Sequence, residues 1–276
     1  PVYSAPVQPP KWADPARLEQ KELRRAASRL SFATMTSLPI QVLWTTLATL
    51  ILTVCGVNFM GPNTIGDFPP TAYYLISSIA SFLSIVLPFS FFLFFGKRKL
   101  SDTVLVEKNG VLNSVLLVFA GLAVSVLMNI PANLISQLLE GAGLNGDANT
   151  ADLLALTPVQ ALTMFVSVVL VAPVTEEFAF RSVTTAVMRR WGDWPAVIFS
   201  ALIFGMAHYS IQSLPVVLMA GFVMALLYVR TRNIWVNIFV HMLNNLLATL
   251  PIALEGLVGA DAANIASNLL TYIVYG

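Results

Sequence analysis

The chain has 276 residues, of which 57% are hydrophobic and only 11% charged, with a formal net charge of +1. A soluble surface needs roughly 25% charged residues, so this composition is that of an integral membrane protein, and the near-neutral balance argues against a nucleic-acid partner. The single cysteine, Cys55, excludes an internal disulfide and any cysteine-based metal cluster.

Residues 1–37 are polar, with Pro1, Pro6, Pro9, Pro10 and Pro15, and the stretch from Arg17 to Arg29 reads as a short interfacial helix. The opening Pro in place of Met points to a trimmed or renumbered start. A signal peptide is not expected, since the first apolar run begins only at Leu38 and many follow. A spanning helix needs about 20 apolar residues, and charge-free windows place such spans near 38–60, 71–96, 112–138 and 157–180. The next window is interrupted around Tyr209–Pro215 and reads as two short helices, 195–209 and 214–230; a seventh span lies within 233–254 and a short eighth within 262–276. The expected fold is therefore all-α, a polytopic bundle of about eight transmembrane helices occupying residues 38–276.

All 15 lysines and arginines fall in segments 1–37, 97–111, 181–194 and 230–233, and none falls in the connections around 61–70, 140–156, 210–214 and 252–263. That asymmetry puts both termini on the cytoplasmic side. No internal repeat is evident, so an inverted-repeat transporter gains no support.

Ionisable residues inside spans are costly and functional by default. The only two histidines, His208 and His241, and the only adjacent acidic pair, Glu176-Glu177, all sit in expected helices. At 1.5 Å per residue from the inner ends of their helices, Glu176 lies about 21 Å deep, His208 about 20 Å, His241 about 12 Å and Asn245 about 18 Å. Three helices thus bring polar groups toward one level. Glu177 and Arg181 are spaced i,i+4 and can form an ion pair within one helix, which leaves Glu176 free for chemistry. His241 and Asn245, also i,i+4, share a face.

Structural readings stand beside these. Arg181 could snorkel from an inner helix end, a lone histidine could serve as a helix–helix hydrogen-bond partner, and Asn244 or Asn245 could be packing contacts. Trp44, Trp191, Trp194 and Trp235 read as interface anchors.

These residues form three motifs in order. Glu176-Glu177-Phe178-Ala179-Phe180-Arg181 matches EExxxR, Phe204-Gly205-Met206-Ala207-His208 matches FxxxH, and His241-Met242-Leu243-Asn244-Asn245 matches HxxxN. With Gly221 and Tyr228-Val229-Arg230-Thr231-Arg232-Asn233-Ile234-Trp235 between the second and third, the pattern resembles the CAAX prenyl endopeptidase and bacteriocin-processing (CPBP, Abi) family of intramembrane proteases, in its bacterial branch. The resemblance covers about residues 150–250, the expected catalytic core. It implies an endopeptidase of the bacterial plasma membrane acting on membrane-associated or lipidated peptides. Glu176 would be the catalytic glutamate with Arg181 and Glu177 in support, His208 would join Glu176 in holding the attacking water, and His241 and Asn245 would stabilise the oxyanion.

Were the enzyme zinc-dependent, Glu176, His208 and His241 would be the ligands; HExxH is absent and asparagine is a poor zinc ligand, so metal-independent water activation is expected. Tyr209-Ser210 follows the second motif where prenyl-protein enzymes tend to carry further histidines, and no cysteine precedes Asn245. Peptides, lipopeptides and membrane-protein tails are thus all open as substrates. A catalytically silent scaffold that binds a membrane-protein partner, or a proton-coupled transporter using Glu176 and the histidines as a relay, are the competing readings.

Overall fold

The structure, a computed structural model, describes residues 14–56, 70–144, 157–211 and 213–259 and short helical pieces within 261–269. Among these residues the chain is helical throughout, and its one extended pairing is an isolated antiparallel bridge between Val106 and Asn233. The first thirteen residues and most of the eighth expected span lie outside the described residues.

Helix α1 (Pro15–Met35) starts where Asp14 accepts a hydrogen bond from the Ala16 amide, with Pro15 in the first turn, where a missing N–H costs nothing. It is longer than the interfacial stretch expected over Arg17–Arg29. Beyond a break at Thr36 it runs into α2 (Ser37–Val54), and together they form a 40-residue helical stretch that contains an apolar window long enough to cross a membrane. Leu30 and Ala33, ahead of the expected span start at Leu38, are buried in the main core.

Helix α3 (70–95) and α4 (Val111–Gly141) follow, the latter carrying Pro131 inside it. Next comes α5 (Pro158–Trp191), opened by a capping box in which Thr157 and Gln160 satisfy each other's backbone amides. The apolar helices α6 (Asp193–Met206) and α8 (Ile234–Val258) bracket α7 (Leu214–Thr231). By length and composition five stretches can cross a membrane: Pro15–Val54, Tyr74–Phe95, Val111–Gly141, Pro158–Trp191 and Leu214–Thr231. The protein is a multi-pass membrane protein.

Helices α3 and α5 both widen into π-helical turns, at Phe82–Val86, Phe165–Val171 and Glu177–Thr185. The first two lie just ahead of Pro88 and Pro173. Proline donates no hydrogen bond and its ring presses on the carbonyl four residues back; shifting the ladder to i→i+5 relieves that clash. The third wide turn shows its register in the hydroxyls of Thr184 and Thr185, which bond the carbonyls of Ala179 and Phe180, each five residues earlier.

Helix α5 does not end near residue 180, because the charges that close the expected span are paired inside the protein. Arg181 is therefore a core residue and not one of the inner-face cations. Trp44 Nε1 donates to the Ile76 carbonyl of α3 at 3.3 Å, which ties α2 to α3.

Helices α6 and α7 approach closely through small residues. A Cβ on Gly205 would stand 2.7 Å from Leu218 Cδ2, and one on Gly221 would stand 2.8 Å from Phe204 Cδ1, the small-residue packing typical of membrane helices. At the basic end, the loop after α3 is stitched to the α7–α8 turn. Tyr228 Oη donates to Thr103 O at 2.8 Å and accepts from Leu105 N at 3.1 Å, Glu107 N and Ile234 N close the bridge at 2.9 Å each, and Arg232 pairs with Glu107.

Candidate active site

Helix α5 carries Glu176 at the junction between an α-turn and the wide turn Glu177–Thr185. Such π-segments frequently occur at functional sites. The Glu177 carboxylate is wholly buried and held on three sides. Arg181 Nη1 stands 3.0 Å from its Oε1, His241 Nδ1 lies 2.9 Å from the same oxygen, and Asn237 Nδ2 donates to Oε2 at 3.3 Å. The other hydrogen of the Asn237 amide goes to Met224 O at 2.6 Å, tying α8 to α7.

Because an ionised carboxylate only accepts, the contact with Glu177 puts the proton on His241 Nδ1. The opposite ring nitrogen, Nε2, then points toward Glu176, 3.7 Å from its Oε2. That is too long for a direct hydrogen bond. The same Glu176 Oε2 is buried and has no hydrogen-bond partner, a circumstance that native structures rarely tolerate without a functional reason.

Phe204 packs under the cluster. The Arg181 guanidinium lies 4.1 Å over its ring, and the rings of His208 and His241 meet it edge-on at 4.8 and 5.9 Å. Gly221 leaves room for that ring, and its carbonyl lies 3.5 Å from Arg181 Nη2.

His208 sits in the turn beyond α6, which ends at Met206, and not inside the helix expected over 195–209; its side chain is exposed. Its Nδ1 donates to Phe204 O at 2.9 Å, which leaves Nε2 free of that bond. Asn245 donates to Val168 O at 2.9 Å. The reason lies in the wide turn before Pro173: the Ala172 amide bonds Ser167 O, so the next amide in that ladder would serve Val168 O, and proline has none. One hydrogen of the Asn245 amide replaces it.

The structure thus joins Glu176, Glu177, Arg181 and His241 directly, and reaches His208 through Phe204. Asn245 is anchored one turn further along α8. Two participants escaped the sequence reading, Asn237 and Phe204. Each was within reach of it: Asn237 stands four residues before His241, the spacing that linked His241 to Asn245, and Phe204 heads the FxxxH motif.

Imidazoles fixed through Nδ1 with Nε2 open are arranged as metal ligands usually are. Even so, no three His, Cys, Asp or Glu side chains among the described residues are gathered to hold one ion.

An apolar groove of about 980 Å³ runs beside the cluster between α3 and α5. Thr175 and Phe178, which flank the glutamates, and Met242, next to His241, contribute to its wall.

The family described as type II CAAX prenyl endopeptidase Rce1-like matches residues 158–247, the segment that carries every residue of this cluster. The "Putative membrane peptidase YdiL" of Bacillus subtilis (strain 168) is 31% identical over 140 residues, which is 50% of this chain and 57% of that protein. No solved structure gives a significant match. By the helices and motifs of its C-terminal half, the chain is similar to the CAAX prenyl endopeptidase (CPBP) family over residues 158–247, and it spans little more than half the length of the curated relative it matches.

Proposed function

We propose that the protein is an intramembrane endopeptidase that hydrolyses peptide bonds in membrane-associated or lipidated peptides, with both its termini in the cytoplasm. The observation that carries the reading is the pair formed by Glu176 and His241. A buried carboxylate oxygen with no partner faces an imidazole nitrogen 3.7 Å away, and a water admitted between them by a small opening of the site would hydrogen-bond to each side.

In this mechanism Glu176 Oε2 and His241 Nε2 both accept from the water, which turns its lone pairs toward a substrate carbonyl. Glu176 takes the proton as the water oxygen attacks, and returns it to the departing amide nitrogen. Glu177 fixes His241 in the tautomer that keeps Nε2 open, and Arg181 compensates the charge of Glu177. His208, with its Nε2 also open, completes the polar wall on the far side of Phe204. The remaining amide hydrogen of Asn245, held in place by Val168 O, is a donor for the oxyanion. The step needs no metal ion. The groove between α3 and α5, walled in part by the residues that flank the glutamates, is where apolar substrate segments would lie.

The test is purified protein in vesicles incubated with membrane peptides, lipidated and unlipidated, and read by mass spectrometry with and without a chelator. A peptidase of this kind yields defined products at equal rates in both conditions. Cleavage abolished by the chelator contradicts metal-independent water activation. Binding of a peptide or protein without any cleavage supports the scaffold reading instead.

A further inference from the structure

The arginine-bearing end of the bundle holds a second, larger cavity that takes no part in the chemistry above. It measures about 1240 Å³ and lies between α1, the end of α3 and the end of α5. Four arginines line it, Arg25 and Arg29 from α1, Arg98 from the turn after α3 and Arg190 from α5, against a single carboxylate, Glu22. Glu22 is paired with Arg190. Arg25, Arg29 and Arg98 have no ion pair with any described residue, so three positive charges converge on one space without a counter-charge.

The opposite wall is apolar and aromatic. Phe32, Phe91 and Phe95 line it while 69%, 55% and 78% exposed, respectively, on the segments Pro15–Val54 and Tyr74–Phe95 that can cross the membrane. In a bilayer these side chains meet hydrocarbon. A cationic head region thus opens directly onto a lipid-facing aromatic wall, at the level where the headgroups lie. An adjoining cavity of about 740 Å³ extends the charge along α1, with Arg17, Lys21 and Arg24 added to the shared Arg25 and Arg29.

We propose that this cavity is a binding site for an anionic phospholipid, whose phosphodiester headgroup sits among Arg25, Arg29 and Arg98 and whose acyl chains lie along Phe32, Phe91 and Phe95. Charge selects the occupant. A zwitterionic lipid brings its own cation into a space that already has three, whereas a net negative headgroup supplies the missing counter-charge. Guanidinium groups also offer paired N–H donors matched to phosphate oxygens. The shape selects a lipid over a soluble phosphate, because the apolar half of the cavity is filled only by a molecule with tails. A lipid seated here contacts α1, α3 and α5 together and fastens the amphipathic α1 to the catalytic helix.

The experiment is native mass spectrometry of the intact protein, released from detergent in the presence of equal phosphatidylglycerol and phosphatidylcholine. Each basic residue near an anionic headgroup contributes about fivefold, so the wild type retains phosphatidylglycerol at least about tenfold over phosphatidylcholine. The variant R25Q/R29Q/R98Q loses that preference, R25K/R29K/R98K keeps most of it, and glycerophosphoglycerol, the headgroup without tails, does not displace the lipid at matched concentration. Equal retention of the two lipids by wild-type protein overturns the proposal without recourse to any variant. A preference that survives in the glutamine variant also overturns it, and so does displacement by the tail-less headgroup, which would mark a site for soluble phosphate.

Discussion

Replacing Arg181 with methionine leaves the Glu177 carboxylate in a place with no access to water and no cation at 3.0 Å, since both side chains are wholly buried. Removing one partner of a buried ion pair costs about 3–5 kcal/mol, because the other charge stays desolvated and uncompensated. Glu177→Gln leaves the converse problem. Arg181 would then exchange its adjacent carboxylate for a neutral amide, keeping the face of Phe204, a long 3.5 Å contact to Gly221 O and the more distant charge of Glu176. The double variant E177Q/R181M carries neither charge, and its glutamine can still meet Asn237 and His241. It should lose no more than either single variant, which gives a coupling energy of about 3 kcal/mol or more. Thermal unfolding in mixed micelles, followed by circular dichroism, reads this directly: at about 2–4 °C per kcal/mol for a chain of this size, each single variant lowers the midpoint by about 6–20 °C. Additive losses, or single-variant losses below about 1 kcal/mol, would show that the pair is solvated and would refute the buried-bridge argument.

Gly221→Ala should cost about 1–3 kcal/mol by overpacking. The new Cβ meets Phe204 Cδ1 at 2.8 Å, and because that ring supports Arg181 and His241, cleavage should fall along with the unfolding midpoint. Tyr228→Phe removes the hydroxyl shared by Thr103 O and Leu105 N, and should lower stability by about 1–3 kcal/mol while leaving the cleavage rate per folded molecule unchanged. Asn245→Ala should destabilise by about 1–3 kcal/mol through the unpaired Val168 carbonyl. Adding Pro173→Ala should restore that loss by returning a backbone donor, and should not restore cleavage if Asn245 serves the oxyanion. Asn237→Leu should detach Glu177 from α7 and lower cleavage more than Tyr228→Phe does at equal loss of stability, as measured by parallel melting and peptide assays.

The parts of the site legible in the sequence are those set by spacing along one helix. The Glu177–Arg181 pair follows from i,i+4 geometry, whereas counting rise per residue set His208 and Asn245 nearer the depth of Glu176 than His241, which is the residue the structure places beside it. What the sequence hid depends on partners from elsewhere. The charge of Arg181 looked like the end of a span, yet its partner lies four residues back and both are in the core, so α5 runs on to Trp191. His208 looked helical, but α6 stops at Met206 and its imidazole bonds back to Phe204 O. The wide turns of α5 leave no mark in hydropathy, although Pro173 hinted at one, and the use of Asn245 to replace the missing amide could be read only once Val168 O was placed beside it. Tyr228 belonged to a recognisable stretch, yet its role as a clasp for the 103–105 loop needed the tertiary fold.

The most direct test of the account compares Glu176→Gln and wild-type protein in cleaving one membrane-anchored peptide under single-turnover conditions, with the unfolding midpoint measured on the same samples. Glutamine preserves the shape of the side chain and removes the base. The account predicts an unchanged midpoint and a rate lower by about 10²–10⁴-fold, the usual contribution of a general base. A Glu176→Gln protein that cleaves within about threefold of wild type, well short of that contribution, would contradict the claim that Glu176 activates the water.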